Sequence, residues 1–177
     1  MRTQLGGVIV ACSLASAPTG AQASKTQSAL DDAAIVGIFD AANTWDIATG
    51  SLAAGKASRK DVKDFGAMLA RDHKEVQKQG RDLAARLSVK PTPVAADFAL
   101  RKDYDETMKK LGALSGGEFD KAFLAHEVAY HQAVIDAVKG SFLPAIRNAE
   151  LKAFVEKVAP AFEAHRAAAD NLLKKVQ

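Results

Sequence analysis

Between Gly117 and Lys139 the chain reads GEFDKAFLAHEVAYHQAVIDAVK, an unbroken helical pattern with ionisable groups on its apolar side. With successive residues about 100° apart around a helix, Phe119, Phe123, Leu124, Tyr130, Val134, Ile135 and Val138 gather into one arc. Glu127 and His131 fall near its middle, four residues apart and so on neighbouring turns of one face; His126 falls at the edge. A chain like this has to bury a carboxylate and an imidazole against other helices. An isolated buried charge is costly, so these groups are paired with each other or with a facing helix, neutralised, or bound to a metal.

Three further segments carry continuous apolar faces between identifiable breaks. The first helix is expected from Leu30 to Ala54, with Ile35, Ile38, Phe39, Ala42, Trp45 and Ala53 on a face that also takes in Asp46 and Thr49. The second, from Ser58 to Leu87, opens on Ser58-Arg59-Lys60-Asp61, a capping-box pattern with Asp in place of Glu. Its apolar face includes His73, with Asp72 on the edge, and Gly80 as a point of close approach. Pro91 and Pro93 end it.

A shorter, mostly solvated helix from Ala95 to Leu111 reads as the crossover between two hairpins. Ser115 to Glu118 forms a second capping-box pattern, and the helix it opens is expected to stop at Gly140, with Ser141 to Pro144 as a connection. The last helix, from the cap Asn148 to Lys175, repeats Leu151, Val158, His165 and Leu172 every seven residues, a coiled-coil-like stripe with His165 in a core position. Pro160 predicts a kink. No segment has a strand pattern, and 48% apolar residues with 6% aromatics suit closely packed helices. The expectation is an all-α four-helix bundle with one long crossover.

The balance of 24 basic and 21 acidic residues, spread along the chain, leaves no basic stripe for nucleic acid. Residues 1–23 read as an export signal: Arg2, an apolar and small-residue run from Leu5 to Ala17, and Ala21-Gln22-Ala23 as the cleavage site. Export would make residues 24–177 one domain beginning at Ser24, in the periplasm or the outer-membrane-associated cell envelope. Ile9-Val10-Ala11-Cys12 also matches a lipobox, which would make Cys12 a lipid anchor. Nothing later approaches the roughly 18 apolar residues of a membrane span.

Four blocks carry a family resemblance: Ala42-Asn43-Thr44-Trp45-Asp46-Ile47; Val62-Lys63-Asp64-Phe65 with Asp72-His73; Phe119-Asp120-Lys121-Ala122-Phe123 with His131; and Pro160 with Glu163-Ala164-His165. Over about Asp31 to Leu173 the chain resembles domain-of-unknown-function family 4142, exported bacterial proteins of ferritin-like fold. Where that family more often carries Glu, this chain has Asp46. The resemblance implies a ferritin-like four-helix bundle with a short extra helix in the crossover, and no established activity.

The helical faces and the resemblance converge on Asp46, His73, His131 and His165, one on each long helix, with Glu127 beside His131. Imidazoles with carboxylates suit zinc, copper or nickel, whereas calcium and magnesium prefer oxygen shells. Counted from Lys56, Asp46 is 10 residues away and His73 is 17, an offset of roughly 10 Å at 1.5 Å per residue. Two smaller sites or buried polar pairs are therefore expected rather than one cluster.

No Glu-x-x-His occurs, against a di-iron oxidase of the ferritin-like type, and no Gly-x-Ser-x-Gly or His-Glu-x-x-His points to a hydrolase. Two function classes remain. One is a non-enzymatic envelope interaction or stress-response protein with structural histidines; the other is an envelope metal-binding or metal-buffering protein. Protein partners and oligomeric state have no signature in the sequence.

Overall fold

The computed structural model describes residues 30–96 and 98–176; residues 1–23, which read as an export signal, and Cys12 among them lie outside the described residues. The helices are α1 (Asp32–Lys56), α2 (Lys60–Arg86), α3 (Ala99–Ala113), α4 (Gly116–Ala137), a short α5 (Leu143–Ala145) and α6 (Ala149–Leu173), with a π-helical turn, Val138–Phe142, joining α4 to α5. No strand occurs among the described residues. α1 and α2 form one antiparallel hairpin and α4 and α6 the other; α2 also packs on α6, and α1 on α4. α3 lies in the crossover with only Leu111 buried, and Tyr104 stacks on Trp45 of α1 with ring centroids 5.8 Å apart.

The helix ends depart from the local patterns in instructive ways. Neither capping box forms. The α2 N-cap is Arg59 and the α4 N-cap is Ser115, and neither gives a side-chain cap. Instead the fully buried Asp120 of α4 accepts hydrogen bonds from Ser58 N (2.8 Å), Arg59 N (3.0 Å) and Ser58 Oγ (2.6 Å). A carboxylate from another helix thus satisfies the exposed amides that a local side chain would otherwise take. Asn148 does cap α6, accepting from the amides of Glu150 and Leu151. Asp31 caps α1 through Ala34 N.

The helix that begins at Gly116 does not stop at Gly140. It widens into the π turn, where the Leu143 amide reaches back to the Val138 carbonyl, and continues to Ala145. Pro144 falls in the first turn of α5, where a missing N–H is tolerated. Pro160 lies inside α6, which runs across it as one helix.

Close approach of α1 and α2 occurs at Gly50 and Gly66, not at Gly80. A Cβ at Gly50 would stand 2.7 Å from the Gly66 carbonyl oxygen, and one at Gly66 would stand 2.7 Å from the Gly50 carbonyl oxygen. At Gly80 the nearest atoms, on Phe154 and Phe39, are at ordinary contact distance of 3.5 Å. The segment after α2 also presses on α1: Thr92 N donates to Ala33 O at 2.9 Å.

The apolar core is split in two. One cluster joins Ile35, Phe39, Leu83, Ile135, Val155 and Phe162; the other joins Ala53, Val62, Leu69, Phe119, Phe123 and Ala169. Each long helix crosses from one to the other through a buried polar stretch, so a polar layer lies across the middle of the bundle. It comprises Asn43, Asp46 and Thr49 of α1, His73 and Gln77 of α2, Glu127 and His131 of α4, and His165 of α6.

Candidate metal centre

The five candidate residues Asp46, His73, Glu127, His131 and His165 meet in this layer, none more than 6% exposed. One ligand atom from each of His73, His131 and His165 lies within 4.8 Å of the other two, and the same holds for Asp46, Glu127 and His131. The expected offset in depth is not found: the five residues lie at one level, as two triads that share His131. The three residues between α1 and α2, Ala57 to Arg59, cross the end of the hairpin without climbing it. Asp46 is therefore 10 residues before the end of α1 and His73 is 13 residues after the start of α2, a difference of roughly 5 Å in rise. The extension of α4 through α5 levels His131 with His165 in the same way.

Each imidazole has one nitrogen committed to an acceptor. Asn43 Nδ2 donates to the Phe39 carbonyl at 2.7 Å, which turns Asn43 Oδ1 toward His73 Nδ1 at 2.9 Å. His131 Nδ1 meets the carbonyl oxygen of Glu127 at 3.0 Å, and His165 Nε2 lies 3.4 Å from Asp72 Oδ2. Amide, carbonyl and carboxylate oxygens only accept, so in the neutral rings these nitrogens carry the hydrogen. The lone pairs fall on His73 Nε2, His131 Nε2 and His165 Nδ1.

None of those three nitrogens makes a hydrogen bond, although His73 Nε2 faces Asp46 Oδ2 at 3.5 Å; Asp46 Oδ1 and both carboxylate oxygens of Glu127 also lack one. Among the described residues, every buried side-chain polar atom left without a partner belongs to this cluster. Each such atom costs about 1–3 kcal/mol, a heavy load against a domain stability of about 5–15 kcal/mol.

The protonation pattern follows from charge crowding. Burial, reinforced by the neighbouring His131 and His165, holds His73 well below the usual imidazole range. Burial and His131 also lower His165, against a raising effect of Asp72. Burial pulls His131 down as well, but Asp46 and Glu127 outweigh it and raise that ring to about 9. Burial raises the Asp46 carboxyl well above the carboxylate range, with repulsion from Glu127 adding to it. For Glu127 the attraction of His131 overcomes the effect of burial and keeps the group low. Without a metal this crowding favours a cationic His131 beside an ionised Glu127, with His73 and His165 neutral.

This donor set fits a divalent transition metal. Three convergent imidazole lone pairs match zinc, copper or nickel, and a dication balances two ionised carboxylates. The acceptors behind each ring are the outer contacts that set the tautomer and orientation of a metal-binding histidine.

Two of those outer partners had no role assigned from sequence. Asn43 carries a signal, three residues before Asp46 on the same side of α1. Asp72 lies on the edge of α2 that faces α6. His126 stays outside the cluster, half-buried under α3, with Nδ1 3.3 Å from Thr107 Oγ1.

No curated protein and no solved structure matches the chain. A family model described as a domain of unknown function (DUF4142) matches residues 17–172, a span that includes all five clustered residues and the partners Asn43 and Asp72. The chain belongs to the DUF4142 family.

Proposed function

We propose that this protein binds a divalent transition metal, zinc or copper foremost, between its two helical hairpins, and does so in the bacterial cell envelope. The observation that carries this reading is the convergence of three unpartnered imidazole nitrogens whose opposite ring atoms are held by acceptors. Purely structural histidines would be expected to pair both ring nitrogens. α1 and α2 supply Asp46 and His73, whereas α4 and α6 supply Glu127, His131 and His165, so a bound ion would tie the hairpins together. The envelope location rests on the export pattern of residues 1–23.

The test uses protein purified without a histidine tag, stripped with chelator and reloaded with zinc or copper. Bound metal and melting temperature should both rise, since a ligand that binds only the folded state stabilises it by mass action. His131→Ala should lower bound metal and remove the metal-dependent rise, whereas His126→Ala should retain both. Unchanged melting and no retained metal in the unsubstituted protein would overturn the proposal. For location, mass spectrometry of exported material should find Ser24 as the first residue; an acylated Cys12 there would instead establish the lipoprotein form.

A further inference from the structure

A cavity of about 10 Å³ lies beside the cluster, lined by Phe39, Ala42, Asn43, Asp46, His73, Val134 and Phe162, room for about one water molecule. Asp46 and His73 are among its lining residues, and each carries a polar atom without a hydrogen bond. Among its lining residues only Ala42 of α1 and Val134 of α4 are partly exposed, which puts the mouth at the seam between those helices. Tyr130 Oη donates to the Ala42 carbonyl at 3.1 Å and ties the seam beside this mouth.

Resting on the metal-binding reading, we infer that a metal held by His73, His131 and His165 keeps one coordination position open to this cavity, where it carries an exchangeable water molecule. A closed structural site fills every position with protein ligands, whereas an open one leaves a position for water. The cavity is too small for a larger ligand. Asp46 and Glu127 already balance a dication, so an anion would leave net negative charge buried. The ligand class is therefore a neutral molecule of water size, and Asp46 on the cavity wall is placed to accept its hydrogen bond.

Water-proton relaxation of the copper(II)-loaded protein tests this. The unsubstituted protein should show the enhancement due to a directly bound, exchanging water. Val134→Phe and the milder Ala42→Val should each abolish that enhancement while the copper content stays the same. Copper bound without enhancement in the unsubstituted protein would overturn the open position, and enhancement that survives both substitutions would overturn the route between α1 and α4. A protein that retains no copper contradicts the underlying metal-binding reading instead, which the copper assay registers separately.

Discussion

Asn43 Oδ1 lies 2.9 Å from His73 Nδ1, across the α1–α2 pair, and this contact fixes the ring with its other nitrogen 3.5 Å from Asp46 Oδ2, inside the cluster. Asn43→Ala should leave the ring free to turn and weaken metal binding by about 10- to 100-fold, the usual effect of losing such an outer partner. Competition with a chromophoric chelator measures it; unchanged affinity would deny Asn43 its orienting part.

Metal uptake should release protons. Near neutral pH His131, raised to about 9, holds a proton that a metal would displace, and the upward shift of Asp46 acts in the same direction. Affinity should therefore increase with pH up to about 9. Calorimetry in buffers of different ionisation heat should count about one proton released from His131 per ion bound, and a count of zero would contradict this protonation pattern.

The metal-free protein should lose stability on the alkaline side. The folded-state value for His131 lies above the ordinary 6.5, so its contribution is fully present below about 6.5 and is lost as pH rises through about 9. The size is on the order of 3 kcal/mol. Denaturant melts with chelator from pH 6 to 10 should show the decline, and His131→Ala should flatten it.

Two glycine substitutions should behave oppositely. Gly66→Ala puts a Cβ 2.7 Å from a backbone oxygen of α1 and should cost about 1–3 kcal/mol by forcing the helices apart, with metal affinity falling as Asp46 moves from His73. Gly80→Ala meets only ordinary contacts and should be neutral or stabilising by up to about 1 kcal/mol through helix propensity. Chemical denaturation of both variants checks the contrast.

Asp120→Ala should destabilise the fold by about 2–3 kcal/mol, because it leaves the two amides and the hydroxyl at the start of α2 without their charged acceptor. The loss should be the same with chelator and with zinc, since Asp120 lies in the apolar half of the bundle away from the histidines. A metal-dependent difference would tie this cap to the site.

The four long helices and the inward placement of Asp46, His73, Glu127, His131 and His165 were legible in the sequence, because helical periodicity is local and survives without knowledge of the partner helix. The all-α class and the crossover followed from the same periodicity and from the breaks at Pro91, Pro93 and Gly116. Sequence alone did not determine the level at which each residue meets the others. That level depends on how much length the connections consume: Ala57 to Arg59 add no height, and a π turn carries the third long helix past Gly140 to Ala145. The Ser58–Asp61 capping box fails for a related reason, since the carboxylate of Asp120, 61 residues from Arg59, takes the amides at the start of α2 in place of a local side chain. Only the packed structure decides between such partners, because burial and distance, not sequence separation, set the strength of a hydrogen bond.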